Sequence, residues 1–498
     1  MLLAWPNPFV PCAGCLTVTS GCLSRRFFLH RWCIAKSTEE NPLTLANKHR
    51  PERADEDEQA RLDRVSELVE AARRAGADAA DAVCVASRSI SVSIRERKVE
   101  NSEAAESDDV SLRVFVDGRV ASVGATSGYE PGRLAERAVA MARVAPVDES
   151  RSLAEPDRLA HEVVDLDLFD DSWPDTEAMV ATALAMEGAA DAVEGVSQIM
   201  GAGVSCTRSG LTLATSGGFS GSYRGSHFSQ SVAALAGTGQ SMERDYDFSS
   251  ARHRSDLRDP EAIGRHAGER AVRRLGGRKM PTGPVTVVFD PRVARGLAGT
   301  MGQLVNGSAV VRKTSFWRDL MGQAVAASGI TLTDNPQIRR GGGSRPFDGE
   351  GVRGAPMTMV EEGVLRNWFL STSTARELGL QTNGRGARSG AQVVPSSTNL
   401  AIEAGAISAE DMIGDIDHGF YVTEVIGQGV NLITGDYSRG ASGFRIEKGE
   451  LTYPVTEVTI AANLKDMFRQ MVAADDLDRS FATAAPTLRI EGMTLAGE

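Results

Sequence analysis

The sequence lacks long apolar runs and a surplus of basic residues. No stretch of 18 consecutive apolar residues occurs, so no membrane-spanning helix is predicted. Lysine and arginine number 54 against 66 acidic residues, which gives a formal charge of −12. Proteins that neutralise nucleic-acid phosphates carry a basic face or stripe, and none is visible here. The composition therefore predicts a soluble globular protein without a nucleic-acid or membrane partner.

Cysteine is scarce beyond the first 33 residues. Four of the six cysteines lie in that segment, and only Cys84 and Cys206 follow. A disulfide framework would be spread through the folded part of the chain, so a reducing, cytoplasmic location is predicted.

Residues 1–54 are set apart from the fold prediction. Residues 24–29 (SRRFFL) resemble a twin-arginine export signal, but the apolar stretch that such a signal requires does not follow. A start codon assigned too far upstream, a disordered or targeting tail, and a zinc knuckle at Cys12-x-x-Cys15 are the alternatives for this extension.

The catalytic motifs of common hydrolases are also missing. A zinc-peptidase helix presents two histidines about one turn apart, with a glutamate that activates water. The closest histidines here, His253 and His266, are thirteen residues apart, and His161-Glu162 is followed by Asp165 where a second histidine would stand. No G-x-S-x-G elbow and no phosphate-binding loop occurs.

The remaining histidines and acids favour structural roles. His266 is predicted to be partly buried beside the apolar stripe of a helix, and His227 and His253 to lie at the surface. A zinc site assembled from distant residues, such as Cys206, His227 and His418, stays open.

Three alternating acids form a second candidate site. Glu243, Asp245 and Asp247 would lie on one face of an extended strand. A solvated strand face, with Arg244 nearby, is favoured over a site for a hard cation such as calcium.

The pattern of elements predicts an α+β fold. It comprises a small N-terminal α+β domain (80–146), a central α+β domain (173–278) and a larger strand-rich C-terminal domain (285–498), with an acidic linker at 165–171. Asp117-Gly118 predicts a two-residue hairpin turn. Asp259-Pro260 and Asp290-Pro291 each begin a helix, and Asn463 begins a last helix that extends to Met471.

Several strings resemble one known family. They are residues 242–246 (MERDY), 345–352 (RPFDGEGV), 375–380 (ARELGL), 423–430 (TEVIGQGV), 435–440 (GDYSRG), 453–460 (YPVTEVTI) and 463–467 (NLKDM). In this order they resemble the TldD/PmbA metallopeptidases, and the last two strings are similar to the PmbA type, also called TldE. The resemblance runs from about residue 80 to residue 498.

The resemblance implies a heterodimer that encloses a channel for an unfolded, extended peptide. In such a pair the TldD-type subunit carries a His-Glu-x-x-x-His zinc motif, and the PmbA-type subunit does not. The zinc and the catalytic residues are therefore expected in a TldD-type partner, and this chain is expected to bind no cofactor of its own.

The resemblance places the degenerate motif on residues 298–303. The positions of the two histidines and the glutamate are Ala298, Gln303 and Gly299, and the stretch 479–486, which matches the segment with a cysteine ligand in TldD, has no cysteine. No catalytic residue and no metal ligand is expected there.

A non-catalytic subunit still has to hold the peptide. An extended peptide satisfies its backbone groups by adding to a sheet edge, and glycines permit close backbone approach. The substrate-channel candidates are Gly427, Gln428, Gly429, Gly435, Asp436 and Gly440. Turns and bulges explain the glycines equally well.

Two further functions remain as alternatives. One is a self-sufficient metallopeptidase with an unrecognised zinc site. The other is a non-proteolytic binding protein that modulates gyrase or a toxin–antitoxin pair, although the charge of −12 gives the gyrase role no support.

Overall fold

The structure is a computed structural model that describes residues 58–126, 128–389 and 392–498. These residues belong to one compact unit. The twin-arginine-like string and Cys12-x-x-Cys15 lie outside the described residues. The described helices and strands confirm the predicted α+β class.

The first half of the unit is built on one antiparallel sheet of six strands in the order β3-β2-β1-β4-β5-β6. The strands are β1 (Ala79–Arg95), β2 (Lys98–Val116), β3 (Arg119–Thr126), β4 (Val196–Thr215), β5 (Ser220–Ala236) and β6 (Glu243–Ala251). Because β1 pairs with both β2 and β4, strands from the predicted N-terminal and central domains share this sheet.

The predicted hairpin between β2 and β3 is confirmed. Val116 pairs with Arg119, which leaves a two-residue turn. Asp117 and Gly118 have φ angles of +48° and +70°. Two positive φ values are the requirement of a type I′ turn, whose twist matches that of the flanking strands.

Four helices cover this sheet: α1 (Glu58–Arg74), α2 (Pro131–Val144), α3 (Thr176–Asp191) and α4 (Pro260–Arg273). α1 and α2 bury Leu68 and Ala138 against the β1–β3 part of the sheet, and α3 and α4 bury Met186 and Ile263 against the β4–β6 part. Asp259 accepts a hydrogen bond from the amide of Ala262, as expected of the residue that begins α4.

A second sheet closes on itself in the C-terminal half. Its order is β16-β15-β14-β7-β19-β17, and β16 also pairs with β19. The strands are β7 (Gly283–Phe289), β14 (His418–Ile426), β15 (Asp436–Glu447), β16 (Glu450–Asn463), β17 (Met471–Ala473) and β19 (Leu488–Ala496). The β16–β19 pairing makes a five-stranded ring, which removes most of the free edges.

A smaller sheet packs beside this ring. It contains β8 (Leu332–Asp334), β9 (Met357–Glu361), β10 (Val364–Leu365), β13 (Leu400–Ile402) and β18 (Thr483–Ala484), with a hairpin of β11 (Gly386–Ser389) and β12 (Gln392–Pro395) nearby. The helices are α5 (Pro291–Leu304), α6 (Gly307–Val311), α7 (Thr372–Glu377), α8 (Ala409–Gly414) and α9 (Leu464–Arg469). Within the described ranges, no helix is long and apolar enough to cross a membrane.

The predicted extent of the last helix is wrong at its end. Asn463 caps α9 as expected, through its side chain to the amide of Lys465. However, α9 ends at Arg469, and Met471 begins β17, where it pairs with Ile490. The sheet pairing therefore overrides the helical spacing of the apolar residues.

A buried ion pair fixes the smaller sheet. The side chains of Asp334 and Arg385 are both fully inaccessible to solvent, and Nε of Arg385 lies 2.6 Å from Oδ2 of Asp334. The same carboxylate accepts hydrogen bonds from the amide and the hydroxyl of Thr398. Each of its oxygens is thus satisfied without water, as a buried charge requires.

We expect Asp334→Ala to lower the free energy of unfolding by about 3–5 kcal/mol, because it leaves the buried Arg385 guanidinium without its counter-charge. Urea unfolding followed by circular dichroism measures the loss. The control is Asp319→Ala, since Asp319 is 80% exposed and pairs with Arg318 at the surface. Equal losses in the two variants would contradict the prediction.

Candidate functional site

Helix α5 carries Ala298, Gly299 and Gln303, the positions that the sequence resemblance assigns to a degenerate zinc motif. Asp290 begins it by accepting a hydrogen bond from the amide of Arg292, and Pro291 occupies its first turn. Leu297, Met301 and Leu304 bury its apolar stripe in the C-terminal core. The helix is therefore fixed by packing between the ring of strands and the smaller sheet.

None of the three positions offers a metal ligand or a base. Ala298 is buried, Gly299 is half-buried and Gln303 is exposed. A Cβ atom placed on Gly299 would meet no atom within 4 Å, so there is space but no ligating side chain. In the described part of the chain, no three His, Cys, Asp or Glu side chains are grouped to hold a metal. These residues do not fit a zinc ion.

The stretch 479–486 supplies an aromatic ring beside α5. The guanidinium of Arg295 lies 4.6 Å from the ring centroid of Phe481, and Phe248 of β6 lies 5.4 Å from the same ring, centroid to centroid. Arg292, one turn earlier, lies 5.0 Å from the ring centroid of Tyr246. Cation–π and aromatic contacts thus cover the surface of α5 next to the degenerate positions.

The structure does not assemble the zinc site considered from Cys206, His227 and His418. Cys206 pairs with Phe228 and His227 pairs with Thr207, so Cys206 and His227 point to opposite faces of the first sheet. His418 lies exposed on β14 of the ring. Burial also raises the pKa of the Cys206 thiol to about 12, which disfavours the thiolate that zinc requires.

The predicted environments of three histidines are wrong. The side chain of His266 is 53% exposed rather than packed beside the apolar stripe, and its Nδ1 lies 2.9 Å from Nη2 of Arg258. His253 is only 13% exposed because Nε2 contacts the carboxylate and the carbonyl of Asp167. His227 is also half-buried, and burial lowers its pKa. The neighbours of His227 and His253 in the sequence are polar, and they therefore indicated a surface position for both side chains.

The three alternating acids do not form a solvated face. Asp245 and Asp247 are buried, and Glu243 is half-buried. Their partners are arginines: Arg292 and Arg274 contact Asp245, Arg258 contacts Asp247, and Arg274 also contacts Glu243. The prediction of a solvated face is therefore wrong, because Arg258 and Arg274, which flank α4, and Arg292 at the start of α5 cover this face.

The same acids close the edge of the first sheet. β6 is the last strand of that sheet. The amides of Tyr246 and Phe248 donate to the carboxylates of Asp245 and Asp247, and the carbonyl of Tyr246 accepts from Arg292. Satisfied edge groups offer little to an added strand.

The substrate-channel candidates lie close together. Gly427, Gln428, Gly429 and Gly435 lie in the loop between β14 and β15, Asp436 begins β15, and Gly440 pairs with Ile426. Gly427 and Gln428 are exposed. Beside them, Ile426 and Ile433 are 57% and 60% exposed, which is unusual for isoleucine.

Three of the glycines have a structural explanation. A Cβ atom on Gly429 would lie 1.5 Å from the carbonyl oxygen of Ser438, whose amide donates to Gly429. Gly435 has a φ angle of +90° and packs against Asn463. Gly427 also has a φ angle of +90°, but open space surrounds it. The loop thus closes on β15 through Gly429 and Gly435 and presents Gly427 to solvent.

The string at 345–352 contributes two carboxylates to a buried charge network that the sequence analysis did not predict. The Asp348 carboxylate accepts hydrogen bonds from the amides of Glu350, Val352 and Gly386. The Glu350 carboxylate accepts one from the amide of Thr372, at 2.7 Å. In the sequence, Asp348 and Glu350 alternate with glycines. Nothing in that pattern indicates that the two carboxylates are buried.

The network connects the two halves of the unit. Asp81 of β1 forms ion pairs with Arg113 of β2 and with Arg388 of β11, at 2.5 and 2.9 Å. Burial raises the pKa of Glu350 to about 7, the negative charge of Asp348 adds to this, and Arg113 offsets part of it. Burial also raises the pKa of Asp348. The site therefore holds a carboxyl group that changes charge near neutral pH.

Three family models match the chain. They describe PmbA/TldA metallopeptidase domain 1 at residues 80–142, the central domain at 171–275 and the C-terminal domain at 282–497. The Escherichia coli O157:H7 protein named metalloprotease PmbA is 33% identical over 84% of this chain and 93% of its own length. A PmbA homologue from Haemophilus influenzae is 32% identical over 87% of this chain and 95% of its own length.

Solved structures share the fold. A Bacteroides thetaiotaomicron protein described as a modulator of DNA gyrase superposes with a TM-score of 0.81 at 28% identity, over 89% of this chain and 99% of its own. TldE from Thermococcus kodakarensis superposes with a TM-score of 0.76 at 22% identity, over 87% of this chain and 99% of its own.

We expect Glu350→Gln to change how stability depends on pH. A carboxyl whose pKa rises from 4.5 to about 7 on folding binds more protons in the folded state, so stability falls between those two pH values as the pH rises. Glutamine keeps an oxygen for the Thr372 amide and cannot ionise. The melting temperature of the variant relative to wild type should therefore increase from pH 5 to pH 8.

The control is Glu361→Gln, because Glu361 is exposed and pairs with Arg366. Parallel melting profiles of wild type and Glu350→Gln over this pH range would show that Glu350 does not titrate there.

Proposed function

Because the chain belongs to the PmbA/TldD metallopeptidase family, we propose that it is the non-catalytic, TldE-like subunit of a two-subunit metallopeptidase. Its partner is a TldD-type subunit that carries the zinc, and the substrate of the pair is an unfolded peptide in the cytoplasm. The catalytic step belongs to the partner, and this chain contributes peptide binding and stabilises the complex.

The observation that carries this proposal is the surface of α5. Peptide hydrolysis at zinc requires ligands that hold the ion and a base that takes a proton from bound water. Ala298, Gly299 and Gln303 supply neither, and the neighbouring surface is filled by Arg295 and Phe481. Nothing in this part of the chain can therefore generate a hydroxide nucleophile in the way that the family's zinc motif does.

The β14–β15 loop is the place where we propose contact with the peptide or the partner. The edge of β6 is occupied by its own aspartates and by Arg292. The loop instead exposes two isoleucines and the open backbone at Gly427. Exposed apolar side chains next to an open backbone suit an extended chain, which offers both hydrogen-bonding groups and side chains.

The alternatives receive less support. The zinc site considered from Cys206, His227 and His418 would need Cys206 and His227 on one face of the sheet, but their register puts them on opposite faces. Within the described residues, no three His, Cys, Asp or Glu side chains are grouped to hold a metal. The gyrase description belongs to the Bacteroides thetaiotaomicron protein. The charge of −12 gives this chain no surplus of basic residues for a DNA-associated role.

We expect the chain expressed alone, without a metal-affinity tag, to hold far less than one zinc ion per chain by elemental analysis. It should cleave no unfolded casein by itself, and addition of a TldD-type subunit from the same genome should produce cleavage. The TldD-type subunit alone is the control. One zinc ion per chain, retained through dialysis, would overturn the non-catalytic assignment.

We expect Ile433→Asp to reduce cleavage by the reconstituted pair at least about tenfold, because a charge replaces an apolar contact that is buried on binding. The rate of casein cleavage measures the effect. Val144→Asp is the matched control, since Val144 is 85% exposed at the end of α2, far along the chain from the loop. Equal activity of both variants would remove the loop from the proposed contact surface.

A further inference from the structure

A cavity of about 160 Å³ lies between helix α4 and the ring of strands. The arginines in its wall are Arg270, Arg273, Arg274 and Arg292, and the acids are Asp245 and Asp290. The rest of the wall is formed by Ile413, Tyr421, Thr423, Phe444 and Leu451. The lining thus holds four arginines and two aspartates, and Glu243 and Glu424 next to it add two further negative charges. None of these residues belongs to the degenerate motif or to the β14–β15 loop.

The acids of the wall already have partners. The Asp245 carboxylate pairs with Arg292 at 3.1 Å and with Arg274 at 3.7 Å. The Asp290 carboxylate accepts hydrogen bonds from the amide of Arg292 and from the hydroxyl of Tyr421, both at 2.9 Å. Neither carboxylate forms an ion pair with Arg270 or Arg273.

Arg274 is also neutralised from outside the wall. Its Nη1 lies 2.7 Å from Oε2 of Glu424, and its Nε lies 3.4 Å from Oε2 of Glu243. Arg274 and Arg292 therefore serve the packing of α4 and α5 against β6 and β14.

Arg270 and Arg273 differ from the other two arginines. Among the residues that the structure describes, no carboxylate lies within 4.0 Å of either guanidinium. The exposed Arg273 lies over the face of Phe444, with Cζ 4.9 Å from the ring centroid. Residues three apart on a helix are neighbours on one face, so the two guanidinium groups can reach one ligand.

The size and the apolar wall limit the ligand. An apolar cavity of about 150 Å³ holds one benzene molecule, so this cavity has room for one small anion but not for a peptide segment. A guanidinium forms paired hydrogen bonds with the oxygens of a carboxylate or a phosphate group. Ile413, Phe444 and Leu451 would contact an apolar substituent next to that group.

We propose that Arg270 and Arg273 bind the oxyanion of a small phosphate or carboxylate ligand in this cavity. The ligand lies between α4 and the ring of strands and bridges them, so its binding stabilises the contact between the central and C-terminal parts of the chain. Binding of the oxyanion does not require a zinc-bearing subunit, so its test is independent of the proposed function.

The test is a titration of the full chain with inorganic phosphate and, separately, with N-acetyl-leucine. Ionic strength is held constant with sodium chloride, and calorimetry and the melting temperature are the readouts. We expect saturable binding of at least one of the two probes, with a rise in melting temperature that chloride does not produce. The uncharged N-acetyl-leucinamide controls for the carboxylate.

Arg270→Gln and Arg273→Gln should each weaken binding about tenfold or more, since each removes a charge-assisted hydrogen bond. Arg265→Gln is the matched control, because Arg265 is exposed on the same helix and does not line the cavity. Glutamine keeps part of the aliphatic stem, and circular dichroism without ligand checks folding. Arg270→Gln carries the test alone if loss of the Phe444 contact unfolds Arg273→Gln.

The outcomes separate the two ligand sources. Binding of phosphate alone assigns the site to phosphate groups, binding of N-acetyl-leucine alone assigns it to carboxylates, and binding of both supports the shared oxyanion chemistry. If neither probe binds beyond the chloride control, or if Arg270→Gln binds as tightly as wild type, the proposal is overturned.

Discussion

The buried charge network around Asp81 constrains how the two halves of the unit come together. Asp81 and Arg113 lie on adjacent strands of the first sheet, and Arg388 reaches the same carboxylate from the C-terminal half. A buried charge without its partner costs several kcal/mol, so the halves have to dock in the one arrangement that pairs these groups. Arg388 also holds the loop at 345–352, since its Nε donates a hydrogen bond to the carbonyl of Gly349.

That docking also sets the surroundings of α5. Arg292 at its start forms an ion pair with Asp245 on the edge of the first sheet, and Arg295 contacts the rings of both Phe248 and Phe481. The helix thus holds strand β6 at one side while its apolar stripe fills the C-terminal core. The surface of α5 on this side therefore has a packing role in this chain.

Much of the fold could be predicted from local sequence signals. The turn at Asp117-Gly118 follows from residues that tolerate positive φ, and the helices after Asp259 and Asp290 follow from side chains that cap free amides. Met471 shows the limit of such signals, since its helical spacing is overruled by pairing with Ile490. Strand pairing between distant segments leaves no mark within a short window of sequence.

Some features of the candidate site likewise follow from the sequence, and others depend on contacts between distant segments. The sequence alone shows that Ala298, Gly299 and Gln303 carry no imidazole, thiolate or carboxylate. Folding cannot change which ligating groups these positions carry. By contrast, the partners of Asp245, Asp247 and His253 could not be predicted, because they come from segments remote in the chain. The sequence by itself determined the α+β class, the caps and turns, and the lack of ligands on α5. Only the tertiary structure decided which charges are buried, which arginines neutralise them and which arginines remain, because burial and pairing depend on segments that meet only in the folded chain.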